Sequence, residues 1–317
     1  MYLSYGDLVY KEVIERVLED GAWDTDAPVR TKWNSDGEPA YTKSVLNQQM
    51  IFDNSTEILN SILTQKRVPQ KDPIREMFWI WQFKTNDVRF LREVLGCKVW
   101  NEWEREDGTI GRAYGWILRN KRRKVKITKQ LLLMIENGEI RDARHCYNAF
   151  GAKIHPTHMM LDQVDYLIYM LKTNPHSRRI KTTLWSVDDL DYMALEPCVY
   201  ETHWQLWEGK LHLTVNIRSN DLFLGNPYNV YQYSILHRLI AQVTGHQAGT
   251  ICFNIDNAHI YDRHMDSVME QISNKMHVAP EVWINPEVTS FYDFTVNDIK
   301  LIDYECEKTI GRVDIAV

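Results

Sequence analysis

The sequence predicts a single α+β domain, and three observations support that class. Segments of helical period dominate the first half of the 317-residue chain, period-two runs enter in the second half, and neither an internal repeat nor a low-complexity linker divides it. At roughly 150 residues per domain the length also permits two units, but one large α+β domain of this size is ordinary.

The elements follow in chain order. Residues 7–20 place Leu8, Val9, Val13, Ile14 and Val17 at helical spacing, with Gly21 as the stop. Residues 30–37 then read as a polar loop. A second helix is predicted over 72–83, where Pro73 suits a first turn and Ile74, Met77, Phe78, Ile80 and Trp81 make a broad apolar face. Glu76 lies inside that segment and is either a polar-face residue open to water, the ordinary fate of glutamate, or a buried carboxylate. Between about 116 and 160 the character changes. The basic run Lys121-Arg122-Arg123-Lys124-Val125-Lys126 reads as a solvated face, a helix is expected near Gln130–Ile135, and of His145, His155 and His158 in the irregular stretch that follows, the pair His155-Pro156-Thr157-His158 has no third ligand at useful spacing, so no metal is assigned. Residues 161–173 return to helical period and end before Asn174-Pro175. Leu211-His212-Leu213-Thr214-Val215-Asn216-Ile217 alternates as a strand, residues 231–243 read as a helix, and further β-type runs occur at 249–255 and near the C-terminus.

Composition sets the functional class. Hydrophobic residues at 44% and charged residues at 25% exclude a mainly disordered chain and allow a large core. The net charge of −6 argues against polyanion binding over the whole surface but permits a local basic pocket for an anionic small molecule. No run approaches 18 apolar residues, and Met1-Tyr2-Leu3-Ser4-Tyr5-Gly6-Asp7 lacks the basic-then-apolar layout of a leader, so a cytoplasmic protein without membrane spans is expected. The five cysteines are odd in number, scattered and never Cys-x-x-Cys. They predict free thiols rather than disulfides or structural zinc, and any one of them could be a nucleophile where its surroundings favour the thiolate.

One stretch gathers reactive types: Pro197-Cys198-Val199, then Arg218-Ser219-Asn220-Asp221, then Leu224-Gly225-Asn226-Pro227-Tyr228-Asn229. Singly, Cys198 could be an inert buried thiol and Arg218 a surface cation. Together with Ala258-His259-Ile260-Tyr261, and with Arg30, Val99-Trp100-Asn101-Glu102-Trp103, Ala113-Tyr114-Gly115 and Ser177-Arg178-Arg179 upstream, they closely resemble the folate-dependent thymidylate synthase family. The segment Pro197-Cys198-Val199-Tyr200-Glu201-Thr202 is most like its Bacillus-type branch. The resemblance covers nearly the whole chain, implies one domain over 1–317 built on a large mixed β-sheet covered by helices, and is weakest over 116–160, a variable or inserted segment.

The resemblance implies reductive methylation of dUMP to dTMP in a homodimer, with 5,10-methylenetetrahydrofolate as co-substrate and donor of both carbon and hydride. Cys198 would add to uracil C6, its thiolate favoured by Arg218. Glu76 would relay protons through water to O4, and Tyr114 would assist removal of the C5 proton. Asn229 would read the O4/N3 edge, where an Asp would favour cytosine. Arg30, Arg218 and Ser219 would hold the phosphate, joined by Arg178 and Arg179 from the partner subunit, and His259 and Tyr261 would hold the ribose hydroxyl. Asp221, Trp100 and Val317 would contact or cover the reduced folate.

Several positions depart from the commonest pattern: Val199 stands where His is frequent, His203 where Gln is common, Asp256-Asn257 where Gly-Asp is usual, and Gln65-Lys66-Arg67 for Thr-Lys-Lys. The Asp256-Asn257 change removes easy access to positive φ and a charge beside His259. A second enzyme reading is a dUMP hydroxymethylase, in which water captures the exocyclic methylene. Trp100 and the apolar C-terminus favour a dry site and hydride transfer over it. A third reading is a catalytically silent RNA-binding or regulatory homologue, against which the complete nucleophile and phosphate motifs count.

Overall fold

The computed structural model describes residues 3–147, 153–311 and 313–317. Its strands are β1 (Ala22–Trp23), β2 (Thr42–Asp53), β3 (Arg123–Lys126), β4 (Ala143–Tyr147), β5 (Lys153–Leu161), β6 (Lys181–Thr183), β7 (Val199–Trp207), β8 (Lys210–Ile217), β9 (Asn220–Asp221), β10 (Gln247–Tyr261), β11 (Glu281–Ile284) and β12 (Ile299–Ile302). The α-helices are α1 (Tyr5–Asp20), α2 (Asp72–Met77), α3 (Gly115–Asn120), α4 (Lys129–Glu136), α5 (Gln163–Thr173), α6 (Gly225–Thr244) and α7 (Met265–Ser273). Seven strands form one sheet in the order β1-β2-β10-β8-β7-β6, with β9 beside β10. The β10–β8 and β10–β9 pairs are parallel and the remaining pairs antiparallel, so the sheet is mixed as expected.

One face of this sheet is the core. Met50 and Phe52 of β2, Leu213, Val215 and Ile217 of β8, and Ile251, Phe253 and Ile255 of β10 alternate inward and are buried. Helices α1 and α6 pack on that face. Helix α6 starts at Gly225, six residues before the apolar period becomes readable, because it is buried on nearly every side and carries no polar stripe. It ends at Gly245, whose φ of 75° supplies the left-handed cap. The opposite face stays open: Gln49, Ile51, Gln205 and Trp207 point outward and are exposed.

Helix α2 begins with Pro73 in its first turn and widens into a π-helical turn over Phe78–Gln82. The wider turn sends Phe78, Trp79, Ile80, Trp81 and Gln82 all inward. Full burial of each such apolar side chain contributes roughly 1.5–3 kcal/mol, which holds Glu76 on a rigid support. Beyond it the buried ammonium of Lys84 meets the Asp162 carboxylate at 2.5 Å and the Tyr292 hydroxyl at 2.9 Å. This pins the chain after α2 to the N-cap of α5, where Asp162 accepts from the Val164 and Asp165 amides.

The segment 116–160 contains a small antiparallel sheet, β3-β5-β4, and the expected helix, α4. Its basic run is not simply a solvated face. Lys121 meets Asp189 at 2.5 Å, Arg122 is paired with Asp142, and Arg123 lies over the Tyr166 ring at 4.6 Å. His145 lies on β4 and His158 on β5, whereas the side chain of His155 is outside the described residues. Strand β2 escaped the sequence reading because Thr42-Lys43-Ser44-Val45-Leu46-Asn47-Gln48-Gln49 carries little apolar alternation. Asn47 takes φ 56° there, while the pairing with β10 keeps its register on either side, Gln48 with Ile255 and Leu46 with Asn257. No helix among the described residues is long and apolar enough to cross a membrane.

Candidate active site

The ends of β7, β8 and β10 meet β9, the first turn of α6, α2 and the start of α3 around one cavity of about 480 Å³. Its lining includes Arg30, Glu76, Trp100, Tyr114, Cys198, Arg218, Ser219, Asp221, Asn229, His259, Tyr261 and Val317, which sequence order alone keeps far apart. Topology explains the convergence. Parallel pairing of β8 and β9 with β10 brings Arg218, Ser219 and Asp221 to the same sheet end as His259 and Tyr261.

Cys198 stands just before β7, and its carbonyl accepts from the Arg218 amide at 2.9 Å. The Arg218 guanidinium curls back onto the segment that carries Cys198, donating to the Pro197 carbonyl at 3.1 Å and the Glu196 carbonyl at 2.8 Å. Burial pushes the Cys198 thiol above the usual range, and the charges of Arg218 and Arg30 oppose this without overcoming it. The expected help from Arg218 is therefore present in sign but smaller than desolvation. The Cys198 amide donates to the Tyr114 hydroxyl at 3.1 Å. Tyr114 itself sits at φ 46°, ψ −106°, a conformation costing about 1–3 kcal/mol in a non-glycine residue. The following Gly115 permits it, since a Cβ there would lie 2.3 Å from the Thr85 carbonyl oxygen.

Glu76 is half-buried at the cavity wall, which resolves the two sequence alternatives in favour of the inward one. Its carboxylate accepts from the Trp100 indole N–H at 2.6 Å and from the Gln232 amide at 2.9 Å. Desolvation raises its pKa, opposed by these two donors. Gln232 was not singled out from the sequence; its place three residues after Asn229 on α6, one turn on, was the available signal.

Asp221 accepts from the Phe223 and Leu224 amides at 2.9 and 3.3 Å, and so shapes the turn into α6. Asn229 follows in the first helical turns, its carbonyl oxygen accepting from the Asn220 amide at 3.1 Å. Both Asp256 and Asn257 lie in the regular strand β10 without positive φ, so the missing glycine is not needed. Asn257 Oδ1 is 3.0 Å from His259 Nδ1, giving that ring nitrogen an uncharged acceptor. Burial lowers the His259 pKa and favours the neutral ring, leaving Nε2 as an acceptor.

The mouth is formed by the C-terminal strap. Lys32 and Val317 exchange two backbone hydrogen bonds of 2.9 and 2.8 Å, and the Asn34 amide donates to the Ile315 carbonyl at 2.9 Å. Arg263 braces the strap from outside, meeting Asp36 at 2.7 Å and Asp314 at 3.2 Å while lying over the Trp33 ring. The unusual Gln65-Lys66 pair is tied down as well: Gln65 donates to the Asn274 carbonyl at 2.6 Å, and the Lys66 ammonium donates to the Phe223 carbonyl at 2.5 Å. Arg178 and Arg179 are not brought into this cavity. They are exposed on the loop after α5, where the Arg178 carbonyl lies 3.2 Å from Nε2 of His203, on the open face of the sheet. Among the described residues no group of three His, Cys, Asp or Glu side chains is placed to hold a metal.

The family model described as thymidylate synthase matches residues 8–317. The chain is 47% identical over 303 residues to a thymidylate synthase from Bacillus licheniformis, covering 96% of each chain. It is 48% identical over 299 residues to the thymidylate synthase of Bacillus phage phi3T, covering 94% of this chain and 95% of the other. A solved structure titled thermostable thymidylate synthase A from Bacillus subtilis superposes with a TM-score of 0.82 at 46% identity, covering 98% of this chain and 99% of that one. With a family model, a fold and a near full-length sequence match that coincide, the chain belongs to the thymidylate synthase family.

Proposed function

We propose that the cavity around Cys198 binds dUMP and methylates it reductively to dTMP. The observation that carries this reading is the meeting of a thiol, two guanidiniums, a carboxamide and a half-buried carboxylate around one cavity. Thiolate addition of Cys198 to C6 makes an Sγ–C6 bond and moves the C5–C6 π pair toward O4. Raised by burial, the Glu76 carboxyl holds a proton closer to neutral pH, as a relay to O4 requires. Tyr114, held beside the nucleophile's amide, is placed to order the water that takes the C5 proton. Arg30, Arg218 and Ser219 receive the phosphate, His259 and Tyr261 the ribose hydroxyl, and Asn229 the base edge. The reduced folate 5,10-methylenetetrahydrofolate supplies the carbon and the hydride. An apolar wall of Ile80, Trp100, Trp103, Leu195 and Leu224 suits its flat ring, with Asp221 as the polar contact and Val317 at the cover. The named relatives are synthases, which favours reduction of the methylene over its hydration. 5-Fluoro-dUMP with the folate tests the site, because fluorine at C5 blocks the proton loss that would release the enzyme. The expected result is a covalent complex mapped to Cys198; an adduct on Cys97, Cys146, Cys252 or Cys306 would refute the assignment.

The open sheet face with Ile51 and Trp207 exposed supports a homodimer packed through it, and this would carry Arg178 and Arg179 into the partner's phosphate site. Mixing a Cys198→Ala subunit with an Arg178→Ala/Arg179→Ala subunit should then restore up to about a quarter of wild-type activity, because random pairing gives half heterodimers with one intact site each. No recovery in verified heterodimers would place each site within one chain.

A further inference from the structure

Behind Asn229 lies a buried line of carboxamides. Asn229 Oδ1 accepts from Asn220 Nδ2 at 3.1 Å, Asn220 Oδ1 accepts from Asn226 Nδ2 at 2.7 Å, and Asn226 Nδ2 lies 3.5 Å from the Met50 sulfur. Asn220 and Asn226 are each 2% exposed, so water cannot replace a lost partner. The line has a direction. A thioether accepts a hydrogen bond but cannot donate one, so the Asn226 nitrogen faces two acceptors, sulfur and the Asn220 oxygen. Reversing the line would set the Asn226 carbonyl oxygen against sulfur, with no proton between them. Reversing Asn229 alone would set its NH₂ against that of Asn220, donor against donor.

We infer that Met50, Asn226 and Asn220 form a positioning relay that locks the orientation of the Asn229 carboxamide and thereby makes the site select uracil over cytosine. The inference rests on the proposed reading of the base edge by Asn229. Uracil presents the acceptor O4 beside the donor N3–H; cytosine presents a donor amino group beside the acceptor N3. A carboxamide free to rotate serves either pattern, since it exchanges donor and acceptor by a half-turn. With its oxygen held toward Asn220 it matches uracil alone, and a cytosine ring faces donor against donor. Selectivity would thus reside in two asparagines that do not line the cavity.

The test is the ratio of dissociation constants for dCMP and dUMP, measured on the full-length protein by equilibrium titration with thermal melting alongside. Asn226→Leu, which keeps the volume and removes the donor, should lower the ratio about tenfold, as should Asn220→Ala, the figure for loss of one buried hydrogen bond. Asn226→Asp should lower it further, because a carboxylate that only accepts draws the Asn220 NH₂ toward itself and favours the reversed line. A merely structural role predicts a lower melting temperature with both nucleotides weakened equally. An unchanged ratio in whichever of these variants fold, while Asn229→Asp shifts it, overturns the relay and leaves the reading of Asn229 standing. An unchanged ratio in Asn229→Asp itself removes that reading, and the relay with it.

Discussion

Cys198→Ala abolishes dTMP formation, by on the order of 10⁴-fold or more, while dUMP binding stays within a few-fold of wild type. The reasoning is chemical: in the proposed mechanism, removing Sγ would take away the bond to C6 and leave the proposed phosphate and base contacts in place. Single replacements of the other cysteines should retain turnover. Cys97 is buried, with its thiol pushed up to about 12, and its sulfur lies 3.8 Å from the Asp72 carbonyl. Cys146 is buried in the small β3-β5-β4 sheet, and Cys252 and Cys306 are raised by burial without the paired guanidiniums that face Cys198. Steady-state turnover and equilibrium dUMP titration on each variant check this; wild-type rates in Cys198→Ala would end the covalent account.

Asn229→Asp moves preference from dUMP toward dCMP, changing the ratio of the two kcat/KM values by about 10³-fold. A carboxylate in this place loses the donor for O4 and gains an acceptor for the cytosine amino group. It would still accept from the Asn220 amide, which now meets an oxygen at either of two equivalent positions. Measuring kcat/KM for both nucleotides decides the matter, and an unchanged ratio would mean that this side chain does not read the base.

Much of the site was legible because its residues stand in short, ordered motifs whose chemistry is specific: a thiol after Pro197, a cation and hydroxyl at Arg218-Ser219, a carboxamide at Asn229. What could not be read were relations across the fold. The net effect on the Cys198 thiol depends on how deeply the cavity buries it, and periodicity carries no measure of that depth. Gln232 and Asn226 look like ordinary polar residues on a helix until α6 proves buried on nearly all sides, whereupon each needs a partner. The Asp256-Asn257 departure points to the loss of a glycine's access to positive φ and of a charge, whereas the chain there is an extended strand in which Asn257 still offers His259 an acceptor. Among elements, α1 and β8 were readable from their one-sided burial, and α5 from the apolar spacing of Leu161, Val164, Leu167, Ile168 and Leu171 although it is buried on nearly every side. Strand β2 was not, because its first half carries little apolar alternation and is only half-buried.

The central claim, a site in which the methylene carbon is reduced rather than hydrated, is tested most directly by identifying both products. Trp100 lines the cavity and the Lys32–Val317 pairing borders its mouth, where they would help keep water from the methylene carbon during hydride transfer. Incubation with dUMP and 5,10-methylenetetrahydrofolate, followed by mass spectrometry of the nucleotide and the folate, should yield dTMP and dihydrofolate in equal amounts. 5-Hydroxymethyl-dUMP with tetrahydrofolate as the main products would contradict it.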